Sequence, residues 1–174
     1  MKILFPFFLL AMTIANAWSQ TDWTTWNNNY PKTDLKKIIE YEKAYADSVD
    51  KGLIKGNYYV RIDKYRFYAT FTGEKRKIPA DVKSSMIRVF KLTLDIEYLP
   101  TFKKNNTEYK FIVDGSEYWF PVQKVLEKPI KKELIKEDRV LLYCLFMNEH
   151  CSNGTLYNCF LISEFRKMTD DTQE

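Results

Sequence analysis

The sequence has a single histidine and only three cysteines, which excludes several common kinds of catalytic and metal site. A Ser-His-Asp arrangement would depend wholly on His150. Zinc is held by about four ligands at spacings such as Cys-x-x-Cys, and no such spacing is present. The Gly-x-Ser-x-Gly, P-loop and Gly-x-Gly-x-x-Gly motifs are absent as well. We therefore expect no metal, no cofactor and no catalytic residue of a known motif.

Long apolar runs are rare, and the one that is present has the form of a secretory signal peptide. Lys2 precedes an apolar stretch at 3–14, and the small residues Ala17 and Ser19 follow it. The stretch is shorter than the ~20 apolar residues of a membrane span. We expect a signal peptide at 1–19, with cleavage after Ala17 as the alternative. The product is predicted to be exported to the periplasm or extracellular space without a membrane anchor.

Glycine and proline are too few to form a flexible linker, at five and six residues in a chain of 174. Charged residues make up 29% and aromatic residues 16%, which favours a folded domain over disorder. We predict one globular domain at 34–167 and an acidic, frayed tail at 168–174. The net charge of +4 is too small by itself to indicate a polyanionic partner, so no nucleic acid is expected.

A helical period is clearest at the start of the predicted domain. Apolar side chains recur on one helical face over residues 35–49, and charged residues lie on the other faces. Thr33 or Asp34 is suited to cap the first turn. Gly52 follows the last turn, where a left-handed residue is favoured. These features predict an N-terminal amphipathic helix.

Most of the remaining chain has the composition of β-strands. Alternating or apolar runs predict strands at 58–62, 65–72 (ended by Gly73), 108–113, 117–120, 140–147 and 156–165. Asp114-Gly115 and Asn153-Gly154 are turn signals for two hairpins. Residues 80–97 fit a short helix that passes into a strand, and 127–139 a charged connector. The predicted class is α+β, with the helix packed on a mostly antiparallel curved sheet or small open β-barrel.

Aromatic residues supply the candidate binding site. Trp23 and Trp26 lie in a polar segment at 20–33, which we predict to be an extended lead-in held on the domain by its rings. Tyr118 and Trp119 lie in a predicted hairpin. Tryptophan and tyrosine are common in binding hot spots, so these two pairs form the hypothesised binding surface. Ring packing against the domain is the alternative interpretation.

The three cysteines all lie in the last third of the chain. In an oxidising compartment one disulfide would leave one thiol free, and we favour Cys151–Cys159 because it would close a small surface loop. Cys144 lies in an apolar strand and is expected to be a buried small hydrophobe. His150 precedes Cys151 in an extended segment, where neighbouring side chains point to opposite sides. We therefore predict an exposed histidine rather than a Cys–His pair.

These features favour a small exported binding or interaction domain without catalysis, whose partner is a protein or polysaccharide of the cell envelope. Two alternatives remain. A small secreted hydrolase would use two carboxylates in acid/base chemistry. The carboxylates in or beside predicted strands are Asp63, Asp95, Glu97, Asp114, Glu117 and Glu164. A structural envelope component would form stable oligomers or associate with the cell wall.

Overall fold

The computed structural model describes residues 22–55 and 58–169. Within these ranges, helices and a sheet of five strands confirm the predicted α+β class. The helices are α1 (Trp23–Asn29), α2 (Leu35–Asp50), α3 (Ala80–Thr93), α4 (Leu99–Phe102) and α5 (Glu127–Glu133). The strands are β1 (Val60–Lys77), β2 (Thr107–Val113), β3 (Ser116–Pro121), β4 (Arg139–His150) and β5 (Leu156–Lys167). The predicted signal peptide at 1–19 and the end of the predicted tail, 170–174, lie outside the described residues.

The five strands form one antiparallel sheet in the order β3-β2-β1-β4-β5. The sheet is not closed, but its two edges approach each other. Val122, just after β3, forms an isolated bridge with Ile162 of β5. The rings of Phe120 and Phe160 lie 6.2 Å apart across the same gap. The sheet is therefore curved, with an inner face that encloses most of the core.

Helices cover both faces of the sheet. The inner face carries the main hydrophobic cluster, which includes Phe67, Phe111 and Phe146, and it packs against α2 and α5. The outer face of β4 and β5 packs against α3 and α4 at one end and against α1 at the other. Each fully buried side chain of this size contributes about 1.5–3 kcal/mol. Because both faces are covered, β4 is apolar on both, as its sequence predicts.

The predicted signals at the ends of α2 are confirmed. The Asp34 side chain accepts a hydrogen bond from the Lys37 backbone N–H at 3.2 Å. Gly52 has a φ of 65°, and its N–H donates to the Val49 carbonyl at 2.9 Å. Leu53 donates in turn to the carbonyl of Ser48 at 2.9 Å, which completes a Schellman motif.

Both predicted hairpins are present. Asp114 and Gly115 have φ values of 48° and 79°, the left-handed pair that a two-residue turn between β2 and β3 requires. Asn153 and Gly154 lie in the turn between β4 and β5. Gly154 has a φ of 77° and its N–H donates to the Cys151 carbonyl. Local turn chemistry thus sets the register of both pairs.

The prediction of two strands between 58 and 72, ended by Gly73, is wrong. β1 is one continuous strand that pairs with β4 from Val60 to Thr70 and with β2 from Thr70 to Lys77. Gly73 has a φ of 83° and lies in a bulge where the register with β2 shifts, so it bends the strand rather than ending it.

The prediction of an extended lead-in is wrong for residues 23–29, which form α1. The Asp22 side chain accepts from the backbone N–H groups of Thr24 and Thr25 at 3.1 and 3.2 Å, and this cap starts the helix. At the other end, the Arg66 guanidinium donates to the Asn27 carbonyl at 2.7 Å. Capping at both ends makes a helix of only seven residues possible.

The strand predicted within residues 80–97 is also absent from the described chain. The helix α3 continues to Thr93, and Asp95 then caps a short 3-10 turn by accepting from the Glu97 N–H at 3.0 Å. Of the alternating residues, Phe90 is buried in α3, whereas Leu92, Leu94 and Ile96 are exposed. No neighbouring strand pairs with this segment, so its alternation has no sheet to join.

Candidate ligand-binding site

A row of polar residues lies on one face at the start of β1 and just before it. Tyr59, Arg61, Asp63 and Tyr65 alternate along the chain and continue the row of Phe67, which lies in the inner core. The same sheet face is therefore apolar toward the end of the row and polar at its start. The helix α2 lies opposite this polar part.

A cleft opens between α2 and the start of β1. It has a volume of about 410 Å³ and is lined by Tyr41, Glu42, Tyr45, Tyr59 and Arg61. We name these five residues the tyrosine cleft. Its volume lies within the range of about 300–1,000 Å³ that is typical of small-ligand sites.

The floor of the tyrosine cleft is a hydrogen-bonded ion pair. Glu42 is only 1% exposed, and its Oε2 accepts from the Tyr59 hydroxyl at 2.6 Å while its Oε1 accepts from Arg61 Nη1 at 2.6 Å. Arg61 also contacts Asp63 through Nε and donates from Nη2 to the Tyr65 hydroxyl at 2.9 Å. A buried carboxylate is tolerated because these partners compensate its charge.

The pKa values of the floor agree with this pairing. Burial, followed by the hydrogen bond to Glu42, raises the pKa of Tyr59, so its hydroxyl stays protonated and donates. Burial lowers the pKa of Arg61, but its contacts with Asp63 and Glu42 outweigh that effect and raise the pKa overall. The floor therefore keeps one donor hydroxyl and one fixed cation at any physiological pH.

The walls of the cleft are tyrosine rings. Tyr41 stacks on Tyr45 with centroids 6.5 Å apart, and Tyr45 meets the edge of Tyr59 at 5.4 Å. Tyr41 is 61% exposed, so its ring presents a flat apolar face to solvent. Tyrosines in such an arrangement offer both ring faces and hydroxyl groups to a ligand.

The prediction of an exposed His150 is wrong. Its side chain is fully buried behind the cleft, and Nε2 lies 3.1 Å from Oδ1 of Asp50, the last residue of α2. The rings of Tyr58 and Tyr59 meet it edge-on at 5.0 and 6.0 Å. The hairpin is covered at this point because α2 ends against it.

The predicted residues Trp23 and Trp26 lie elsewhere, on the outer face of the sheet. Trp23 stacks on Tyr143 at 5.8 Å, and Trp26 meets the same ring edge-on at 5.4 Å. Both are half-buried in a small cluster that attaches α1 to β4. Their contacts support the ring-packing interpretation.

Tyr118 and Trp119 lie on opposite faces of β3. Tyr118 packs on the inner core and stacks on Phe120 at 6.0 Å. Trp119 lies against Arg76 at 4.1 Å and Lys110 at 5.2 Å. The structure thus does not bring the four hypothesised aromatic residues together on one surface.

The predicted Cys151–Cys159 disulfide is not formed, and all three cysteines are free thiols. Cys151 donates its backbone N–H to the carbonyl of Thr155 at the turn. Cys159 lies four residues after Thr155 and pairs with Met147. Four strand residues span roughly 13 Å, while disulfide Cα atoms lie about 4.4–6.8 Å apart. Cys144 is fully buried, as predicted, and its burial raises the pKa of its thiol.

Residues 22–55 and 58–169 contain no group of three or more His, Cys, Asp or Glu side chains arranged to hold a metal ion. No helix there is long and apolar enough to cross a membrane.

No known relative was found. No protein-family model matches the chain, and neither a curated protein nor a solved structure matches it.

The tyrosine cleft was not predicted from the sequence, although two signals point to it. Glu42 lies four residues from both Ile38 and Ala46, so a charged side chain occupies the apolar stripe of α2. In addition, Arg61 and Asp63 lie on the same strand face as Phe67. A charged residue on a predicted buried face is the common element of both signals.

Proposed function

We propose that the protein is a small exported binding domain and that the tyrosine cleft holds its ligand. The observation that supports this most is an open cleft with tyrosine rings around the buried Glu42 carboxylate and its half-buried partner Arg61. A buried charge is costly, and groups with strongly raised or lowered pKa values, such as Tyr59 here, are frequent at functional sites. Export rests on the signal-peptide pattern of residues 1–19.

The paired charges indicate the class of ligand. Arg61 is compensated by Glu42 and Asp63, so the cleft offers no unpaired cation to an anionic ligand. Tyr41 and Tyr45 offer ring faces, and their hydroxyl groups are hydrogen-bond donors and acceptors. A neutral ligand with flat apolar faces and many hydroxyl groups suits this surface, and we propose a polysaccharide of the cell envelope.

A carboxylate hydrolase is the competing proposal, because Glu42 and Asp63 both contact Arg61. Acid/base catalysis requires two carboxylates that reach the substrate. Both oxygens of Glu42 already accept hydrogen bonds, and its side chain is buried. This leaves Asp63 as the accessible carboxylate and favours binding over hydrolysis.

The test compares two exposed tyrosines. Binding of a panel of soluble neutral oligosaccharides is measured by calorimetry for the parent protein, Tyr41→Ala and Tyr98→Ala. Tyr98 is the matched control because it is 64% exposed and lies outside the cleft. We expect Tyr41→Ala to weaken binding about tenfold because it removes a stacking face, and Tyr98→Ala to leave the affinity unchanged.

The proposal fails if no oligosaccharide of the panel binds more tightly than about 1 mM. It also fails if the two variants bind equally well. Mass spectrometry of the same oligosaccharides after prolonged incubation separates the competing proposal. Shortened products that disappear in Asp63→Asn would establish a hydrolase instead.

A further inference from the structure

A second cleft lies at the other end of β1. It has a volume of about 340 Å³ and is bounded by the end of β1, the start of β2 and α5. We define the lysine cleft by five of its lining residues, Lys75, Lys77, Tyr109, Glu127 and Lys131. None of the five residues of the tyrosine cleft lines this second cleft.

The three lysines of this cleft are unpaired. Among residues 22–55 and 58–169, none of Lys75, Lys77 and Lys131 has a carboxylate oxygen within 4.0 Å. The neighbouring Arg76 differs, because it is paired with Glu108 and lies over the Trp119 ring. Lys131 interacts with the charge of Glu127, whereas Lys75 and Lys77 have no carboxylate partner in the described ranges. Two such ammonium groups at one opening favour an anionic ligand.

The floor of the lysine cleft contains a buried hydroxyl without a partner. Tyr109 pairs with Lys75 across β1 and β2, so the two side chains share the inner face. Tyr109 is 2% exposed, and its hydroxyl has no hydrogen-bond partner in the described part of the chain. Buried hydroxyls are nearly always hydrogen-bonded in folded proteins, so this donor is available to a group that enters the cleft.

Glu127 supplies a matching acceptor. Its Oε2 is bonded to Lys124 at 2.9 Å. The Thr107 side chain also faces the carboxylate, but no described residue donates a close hydrogen bond to the buried Oε1, so an acceptor position remains there. Burial raises the pKa of Glu127, but the hydrogen bonds from Lys124 and Thr107 and the charges of Lys124 and Lys131 outweigh it, so the pKa is lowered overall. Glu127 is therefore ionised at neutral pH and accepts hydrogen bonds only.

We propose that the lysine cleft binds a phosphate group that carries a proton, as inorganic phosphate does at neutral pH and a phosphate monoester does in its singly charged form. Tyr109 donates its hydroxyl hydrogen to one phosphate oxygen, and Glu127 accepts the hydrogen of the P–OH group. Lys75, Lys77 and Lys131 compensate the negative charge. This site is independent of the saccharide proposal, since it lies at the opposite end of β1.

The first test is Tyr109→Phe, which removes one oxygen and keeps the ring. Inorganic phosphate is titrated into the purified parent and variant proteins, and binding is followed by calorimetry at low salt. We expect an affinity about tenfold weaker in the variant, because a hydrogen bond to a charged group is lost. Stability without phosphate should not fall, because the hydroxyl has no protein partner there.

The second test separates the site from general surface charge. We expect Lys75→Gln to weaken phosphate binding about fivefold or more. Lys91→Gln makes the same change of charge on α3, outside the cleft, and should leave binding unchanged. Equal effects of these two variants, or an unchanged affinity in Tyr109→Phe, would overturn the proposal.

The third test asks whether the proton of the ligand is required, and whether the phosphate group is free or part of a lipid. Sulfate has the same shape as phosphate but no proton at neutral pH, so it should bind about tenfold more weakly. Vesicles with phosphatidic acid present a monoester, whereas vesicles with phosphatidylglycerol present a diester. Binding to the first vesicle but not to free phosphate would assign a lipid headgroup. Equal binding of sulfate and phosphate would overturn the role of Glu127.

Discussion

The two clefts lie at opposite ends of the same strand and handle charge in opposite ways. In the tyrosine cleft, Arg61 is paired with Glu42 and Asp63, and aromatic rings form the walls. In the lysine cleft, Lys75 and Lys77 are unpaired, and a buried hydroxyl forms part of the floor. One strand thus carries a site whose charges are satisfied within the protein and another whose charges are not.

Paired and unpaired charges contribute differently to the stability of the fold. Charges that are paired in a buried place contribute to folding, because removal of one partner leaves the other uncompensated. Exposed, unpaired charges contribute little to folding and remain available for a ligand. We therefore expect mutation of the paired Arg61 to affect stability, and mutations of the unpaired Lys75 and Lys77 to affect binding alone.

The largest expected effect is on stability at the tyrosine cleft. Arg61→Met should lower the free energy of unfolding by about 1–3 kcal/mol, because it leaves the buried Glu42 carboxylate with the Tyr59 hydroxyl alone as its partner. The double variant Arg61→Met with Glu42→Leu should recover most of this loss. Urea unfolding measures both variants, and Lys75→Met is the control, with an expected change within about 0.5 kcal/mol. An equal loss in Lys75→Met would remove the distinction between the clefts.

A smaller effect is expected from salt. Phosphate binding to the unpaired lysines should weaken several-fold as ionic strength rises to about 0.15 M, where the screening length falls to about 8 Å. Oligosaccharide binding at the tyrosine cleft should not change, because its charges are compensated within the protein. Calorimetric titrations at two salt concentrations measure both. A salt-dependent saccharide affinity would show that Arg61 is not fully paired.

The smallest effect concerns pH at the lysine cleft. Because the pKa of Glu127 is lowered from its ordinary value of 4.5 in the folded protein, its ionised form adds stability above that value. This contribution is lost as pH falls through the lowered folded pKa. Glu127→Gln should therefore reduce stability at neutral pH by less than about 1 kcal/mol. Unfolding curves from pH 7 down to about 3 should show the difference disappear, and a constant difference would contradict the assignment.

The parts of the fold that sequence predicted correctly have local causes. Asp34 and Gly52 mark the ends of α2 through bonds within one or two turns. Asp114-Gly115 sets a hairpin because only a left-handed pair closes that turn. Such signals act over a few residues, so they are readable without the rest of the structure.

The tyrosine cleft has a different origin, because Glu42 and Arg61 are nineteen residues apart on different elements. Asp63 was expected to lie between two strands, and β1 is continuous there because β4 pairs with it throughout. His150 is buried for a similar reason, since α2 ends beside it. In each case a tertiary neighbour overrides the local pattern, and one sequence does not specify that neighbour.

The helix α1 has a consequence for how the chain opens. A helix of seven residues is far too short to persist alone in water. It depends on the stacking of Trp23 on Tyr143 and on the hydrogen bond from Arg66 to the Asn27 carbonyl. It contacts the outer face without contributing a strand to the sheet. We therefore expect α1 to detach at a lower free-energy cost than global unfolding. Its release would uncover the Tyr143 ring while the five strands stay paired.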